Sequence, residues 1–301
     1  MMNQHMGMLA LAAGAWLGVF TVAPSHGATI TDDFNDYGTT STYISGMGTA
    51  GGGWAGGWTG TATTGYPQYQ PNATITFNSP NYSTAGNQSG TNDGMVVTGD
   101  GNTNAAKAAY RSFSTSLTDT IWISALTQFS NAAPDVMLIL DATSGTSNYV
   151  GIRNEASKAQ AIIATGGIAD NDEFGPDVAD NVYPTNAPLL LLTRIQIDVS
   201  GTNDRIDYWI FDDKSSTTNI PALPATADDV LAIAPSFSKT GNFFGTGLDA
   251  IGVALTKTGT SVDAIRISND ADGFKQVTSV PEPGLLGAAA LGLLALRRRR
   301  R

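Results

Sequence analysis

Ile121-Trp122-Ile123-Ser124-Ala125-Leu126-Thr127-Gln128 alternates two sets of side chains, with Ile121, Ile123, Ala125 and Thr127 on one side and Trp122, Ser124, Leu126 and Gln128 on the other. A period of two marks a β-strand, because successive side chains of an extended chain point to opposite faces of a sheet. The same reading holds on either side of this stretch. Val136 to Ala142 and Tyr149 to Arg153 read as two strands joined by the hairpin loop Thr143-Ser144-Gly145-Thr146-Ser147, and Gln160 to Ala164 follows as another. Ile195, Ile197 and Val199 alternate with Gln196 and Asp198. The turn Ser200-Gly201-Thr202-Asn203-Asp204 then leads into the strand Arg205 to Phe211. Ala250 to Leu255 and Val262 to Ile267 read as a last pair around Thr258-Gly259-Thr260. Asn186-Ala187-Pro188-Leu189 to Leu192 reads as a buried strand, since Thr193 and Arg194 end it far short of a bilayer span. Tyr66 to Gly94, loaded with Asn, Ser, Thr, Gly and Pro, reads as a long loop or irregular edge strand. Only Ala225 to Ile233 suggests a helical turn. The expected fold is therefore all-β, an antiparallel β-sandwich of one domain over residues 29–278, about 250 residues, which suffice for a sizeable core.

The two ends of the chain differ from this body. Leu9 to Val22 is an apolar run of signal-peptide length, followed by the small residues Ala23, Ser25, Gly27 and Ala28, so residues 1–28 read as a signal peptide. Met1 to Gly7 holds no Lys or Arg, which leaves the positive charge ahead of the run to the α-amino group. At the other end stands Val280-Pro281-Glu282-Pro283, then Gly284 to Leu296 without a charge, then Arg297, Arg298, Arg299, Arg300 and Arg301. Thirteen residues span about 20 Å as a helix, against roughly 30 Å of hydrocarbon, so this run is a short transmembrane helix and a weak anchor. The arginine block resists translocation and stays on the cytoplasmic side, which leaves the body on the far side.

The order Pro-Glu-Pro, short apolar helix, arginine cluster resembles the PEP-CTERM sorting signal of Gram-negative bacteria. The likeness covers residues 280–301. It implies that Pro281, Glu282 and Pro283 are read by an exosortase, a membrane cysteine protease. The precursor would then be anchored transiently in the inner membrane through residues 284–296, with Arg297 to Arg301 as the cytoplasmic stop. Signal peptidase and exosortase would be its processing enzymes, and the cell surface or extracellular matrix its destination.

Export narrows the chemistry. The chain has no cysteine, and its two histidines, His5 and His26, lie in or beside the signal, so the body lacks Ser-His-Asp, Cys-His and His-ligated zinc systems. Setting aside Glu282 and the tail arginines leaves 25 of 26 acidic and 11 of 16 basic side chains, a net charge of about −14. Such a body repels phosphate backbones, and nucleic acid is not an expected partner.

Asp32-Asp33-Phe34-Asn35-Asp36-Tyr37, the loop Gly51-Gly52-Gly53-Trp54-Ala55-Gly56-Gly57-Trp58, the central hairpins and Val262-Asp263-Ala264-Ile265-Arg266-Ile267 together resemble the concanavalin A-like (laminin G-like) jelly rolls. That likeness implies two curved sheets, adjacent first and last strands, and a concave face that binds glycans in many relatives. Trp54, Trp58, Tyr66 and Tyr69 are the candidate glycan contacts, because flat rings stack on sugar faces; the competing reading is that the tryptophans close the core beneath a long loop. A structural and adhesive role, with exopolysaccharide as a partner, is the expected function, and no catalytic residue is assigned. The alternative is a secreted glycoside hydrolase or lyase. Such an enzyme needs two carboxyl groups about 5–9 Å apart, and Glu155 and Glu173, the only glutamates of the body, read as separate loop residues. No cofactor is expected apart from Ca²⁺. Asp170-x-Asp172-x-x-Gly175 and Asp270-x-Asp272-Gly273 place oxygens at alternate positions without the bidentate glutamate of a calcium loop and read as turns. A metal stapling the ends of a jelly roll would sit at Asp32, Asp33 or Asp270.

Overall fold

The computed structural model describes residues 29–34, 37–60, 66–83, 94–97, 107–129, 135–140, 148–155, 158–164, 172–179, 186–197, 203–213, 220–255 and 259–278. The signal peptide expected over 1–28, the sorting segment expected over 280–301 and the loop expected at 143–147 lie outside the described residues. Among the described residues no helix is long and apolar enough to cross a membrane.

Two antiparallel sheets pack face to face. The larger contains β1 (Ile30–Asp32), β2 (Thr42–Tyr43), β3 (Gln68–Pro71), β4 (Gly94–Val97), β6 (Thr120–Phe129), β11 (Pro188–Gln196), β12 (Asp204–Asp212), β13 (Phe237–Gly241) and β15 (Thr260–Ser268). Its order is β13-β12-β11-β6-β15-β4-β3-β2, with β1 also paired to β15 through Ile30 opposite Ile267. First and last strands are thus adjacent, as expected. The smaller sheet contains β5 (Lys107–Leu117), β7 (Asp135–Leu140), β8 (Asn148–Glu155), β9 (Lys158–Ala164), β10 (Asp172–Ala179) and β14 (Leu248–Leu255), in the order β10-β9-β8-β7-β14-β5.

The period-two sets decide what lies between the sheets. Ile121, Ile123, Ala125 and Phe129 of β6 share one core with Leu189, Leu191 and Ile195 of β11, and with Val136, Leu138, Val150, Ile152, Ile251 and Val253 of the smaller sheet. Burying each such aliphatic side chain contributes roughly 1.5–3 kcal/mol. The other set is buried as well. Trp122, Leu126, Leu190, Leu192, Trp209 and Phe211 lie under a second apolar layer formed by Ile75, Phe77, Tyr82, Leu223, Val230, Phe274 and Val277. Two short helices belong to this layer: α1 (Ala227–Ala232), whose N-cap Thr226 Oγ1 accepts from the Asp229 N–H at 3.2 Å, and α2 (Gly273–Thr278). The larger sheet is therefore covered on both faces, which explains why β6 and β11 are buried almost throughout.

Several expectations are corrected. β14 and β15 are not a hairpin: β14 pairs with β5 and β7 in the smaller sheet, and β15 with β6, β4 and β1 in the larger. Their inward sets, Ile251, Val253 and Leu255 against Val262, Ile265 and Ile267, meet across the core, so the chain crosses between sheets. The buried run Leu189–Leu192 and the strand beginning at Ile195 are one strand, β11. The expected acidic loop at Asp172 and Glu173 is the start of β10, and Glu155 closes β8. The Asp270–Gly273 turn leads into α2, with Gly273 N–H donating to Asp270 O at 2.9 Å.

Candidate functional site

The Gly-Trp loop is organised around a buried ion pair. β1 ends on Asp32, 4% exposed, in the larger sheet; β5, at the edge of the smaller sheet, brings in Arg111, 5% exposed. Arg111 Nη1 donates to Asp32 Oδ2. The carboxylate also accepts from Trp58 Nε1 at 2.8 Å, Tyr37 Oη at 2.7 Å and the Phe34 N–H at 3.1 Å. The rest of the guanidinium is held by the loop, Nη2 donating to Thr49 O at 2.9 Å and Nε to Gly56 O at 3.0 Å, with its carbon 4.3 Å from the centre of the Trp54 ring. Trp54 Nε1 donates to Thr31 O at 2.9 Å, and its ring stacks on Phe113 at 5.3 Å.

The glycines have a specific reason to be here. Gly48 has φ +81°, and a Cβ on it would stand 2.8 Å from Arg111 Nη2; a Cβ on Gly57 would stand 2.7 Å from Met47 O. The loop wraps an arginine at contact distance, which only residues without side chains allow. Burial, then the charge of Asp32, pushes the Tyr37 hydroxyl well above the ordinary tyrosine range, so it stays protonated and donates.

This geometry corrects the glycan-contact expectation. Trp58 at 2% and Tyr69 at 0% exposure are core residues, and Trp54, at 4%, has its ring between Arg111 and Phe113. Tyr69 lies over Gly94, where a Cβ would meet its ring at 2.0 Å, and its hydroxyl donates to Gly38 O at 3.3 Å. None of these three offers a face to a sugar. Tyr66 is half-buried at the edge of the same region.

The metal expectation fares similarly. Among the described residues no three His, Cys, Asp or Glu side chains come together as a metal cluster. The Asp32 oxygens already serve a guanidinium and three further donors, so a divalent cation there would have to displace Arg111. Asp270 Oδ2 accepts from Gln276 Nε2 at 3.0 Å, and Asp33 is half-buried beside the Arg111 cleft.

Among the described residues, clefts open at two places. One, of about 610 Å³, borders the ion pair and is lined by Thr29, Asp32, Asp33, Thr49, Trp54 and Arg111. The other, of about 440 Å³, opens on the outer layer between Asn81, Tyr82, Trp122, Thr226, Phe274 and Lys275. Near the second cleft is a buried carboxyl that composition alone did not single out. Asp263, 1% exposed, sits at a bulge in β15 where Ala264 has φ +51°. It accepts from the Ile75 N–H at 2.9 Å, Thr74 Oγ1 at 3.1 Å and the Ala264 N–H at 2.7 Å. Burial outweighs these donors and pushes its carboxyl up to about 7.

In backbone register the two glutamates stand far apart. Glu173 pairs with Ile163 of β9, Ile163 with Val150 of β8, and Glu155 lies five residues further along β8. That is about 17 Å along the strands with β9 between them, beyond the separation glycoside hydrolysis requires.

No protein-family model and no curated protein matches the chain. Among solved structures it is similar to a cellulose-induced protein, with 16% identity over 83% of this chain and 98% of that one and a TM-score of 0.39. It is also similar to a Bacillus licheniformis β-glucanase, with 8% identity over 81% of this chain and 99% of that one and a TM-score of 0.36. A third such structure is lectin II from Ulex europaeus, with 8% identity over 81% of this chain and 99% of that one and a TM-score of 0.35.

Proposed function

We propose that this chain is exported, anchored transiently in a membrane by its C-terminal run and then released, and that its sandwich serves as a structural or adhesive element at the cell surface or in the extracellular matrix. The observation that carries this reading is the sequence Val280-Pro281-Glu282-Pro283 followed by the uncharged Gly284 to Leu296 and by Arg297 to Arg301. The resemblance to PEP-CTERM signals makes exosortase the releasing enzyme and the inner membrane the temporary site. A non-catalytic role is favoured by a body without cysteine or histidine and by the separation of Glu155 from Glu173. Polysaccharide is the proposed partner class. With Trp58 and Tyr69 engaged in the core, its contacts belong to the two clefts, one of them lined in part by Trp54.

Mass spectrometry of the protein recovered outside the native cells tests the sorting reading. A C-terminus at or near Pro281–Pro283 is expected, and an intact Arg301 in that fraction, or the uncut chain in the cytosol, contradicts it. Affinity electrophoresis of residues 29–278 through gels containing acidic and neutral polysaccharides tests the partner. Retardation in at least one gel is expected; unchanged mobility in all of them removes polysaccharide binding and leaves sorting untouched.

A further inference from the structure

We infer that Arg194 and Arg205, on the outer face of the larger sheet, form a binding site for the acid groups of an acidic polysaccharide. The inference rests on the polysaccharide reading above and names the chemical class.

The apolar layer over this face ends at Trp122 and Trp209, and the strands run on beyond it. Ser238, Asp207, Arg194 and Trp122 stand opposite one another across β13, β12, β11 and β6, and the next row is Thr240, Arg205, Gln196 and Thr120. Residues two apart on a strand share a face, so both rows continue the face that carries Leu192 and Trp209. Thr240, Arg205 and Ser238 are exposed, and Arg194, Gln196 and Thr120 are half-buried. Their hydroxyl, amide and guanidinium groups offer donors and acceptors to a sugar chain.

Asp207 holds the two arginines together. It is 1% exposed; its Oδ2 accepts from Arg194 Nη2, and its Oδ1 from Arg205 Nε at 2.9 Å and from Ser238 Oγ at 2.7 Å. One guanidinium balances this carboxylate and the second is surplus, a cation fixed in place on a body whose net charge is about −14. The two arginines are diagonal neighbours, with Cα atoms about 7–8 Å apart. Arg205, with 45% of its side chain exposed, meets Asp207 through Nε, which leaves its two Nη groups for a ligand. The protein does not saturate Arg194 either, since its Nε is buried and hydrogen-bonds to no described residue. A planar guanidinium fork matches a carboxylate, or a sulfate of similar geometry, with two parallel hydrogen bonds. The Arg194 guanidinium lies 6.0 Å from the centre of the Trp122 ring, and Trp122 lines the cleft of about 440 Å³, so the site adjoins that cleft.

Affinity electrophoresis of residues 29–278 in gels holding polygalacturonate, dextran sulfate or neutral dextran tests this. Those residues contain both sheets and the outer layer and omit Arg297 to Arg301, which would bind polyanions on their own. A polyanion repels a body of this charge, so retardation in an acidic gel requires a local site. Retardation is expected in at least one acidic gel, the two telling carboxylate from sulfate, and Arg205→Gln should weaken it about tenfold. Lys239→Gln removes the same charge from the other side of β13, where Lys239 stands opposite the core residue Ile206, and should weaken it less than about twofold. Equal weakening by both variants, or none by Arg205→Gln, overturns the site. Retardation in neutral dextran alone overturns it and leaves the polysaccharide reading standing, and unchanged mobility in every gel sinks both.

Discussion

Asp32 and Asp263 are both aspartates in the larger sheet, both almost wholly buried, and they are held in opposite ways. Asp32 faces a guanidinium and is further tied by Trp58, Tyr37 and a backbone N–H. Asp263 is held by two backbone N–H groups and one hydroxyl, all neutral. The two arrangements have different physical consequences. A charge with its counter-charge, anchored from both sheets, works as a fastener whose removal leaves its partner stranded. A carboxyl held by neutral groups alone keeps its proton more tightly than in water, which makes its region sensitive to pH.

Arg111→Ala should have the largest effect, on the order of 3–5 kcal/mol, because it strands the Asp32 charge in the interior. Guanidinium unfolding of residues 29–278 measures it, and a loss below about 1 kcal/mol would erase the distinction from Asp263. The second effect belongs to Asp263 itself. Its carboxyl stands near 7 in the fold against 3.8 ordinarily, so the folded state binds the proton more tightly. Its contribution is fully present below about pH 4 and is lost as pH rises to 7. On this ground stability should fall by on the order of 2–3 kcal/mol between pH 5 and 8. In Asp263→Asn that part of the slope should vanish, and a wild-type slope unchanged in the variant would refute the assignment. Trp58→Phe, which keeps a ring but removes the donor to Asp32, should cost roughly 1–3 kcal/mol. Thr226→Ala, at the exposed cap of α1, should cost only about 0.5–1 kcal/mol, and a loss as large as that of Trp58→Phe would mean that the outer layer is bound as tightly as the fastener.

How much of this could be read from the sequence depended on where the signal was local. Alternation in Ile121–Gln128 gave β6, since side-chain direction is a property of neighbours along the chain, whereas β11 ends at Gln196, early in the expected Ile195–Val199 run, and a bulge interrupts β15 at Asp263. Alternation could not say which strands pair, and β14 and β15 consequently looked like a hairpin. Pairing is settled by which apolar faces meet across the core. β5 was missed because Lys107 to Leu117 mixes alanine, serine and charge, and its burial comes from the Gly-Trp loop lying over its edge through the Trp54–Phe113 and Thr59–Tyr110 bridges. The tryptophans stand out as a group in the sequence, which leaves open whether they meet a glycan or close the core; burial decides for the core. Their partner Arg111 stands more than fifty residues away, and no spacing rule joins it to Asp32. Asp263 carried no signal beyond its place in a hydrophobic strand, since its burial depends on the segment Thr74–Ser83 crossing above it.

The Gly-Trp stretch closes the sandwich around the Asp32–Arg111 pair. A double-mutant cycle of Asp32→Asn and Arg111→Met, followed by equilibrium unfolding, tests it most directly. Strong coupling is predicted, with the double variant more stable than the sum of the single losses by roughly 2–3 kcal/mol; additivity within about 0.5 kcal/mol would contradict the claim.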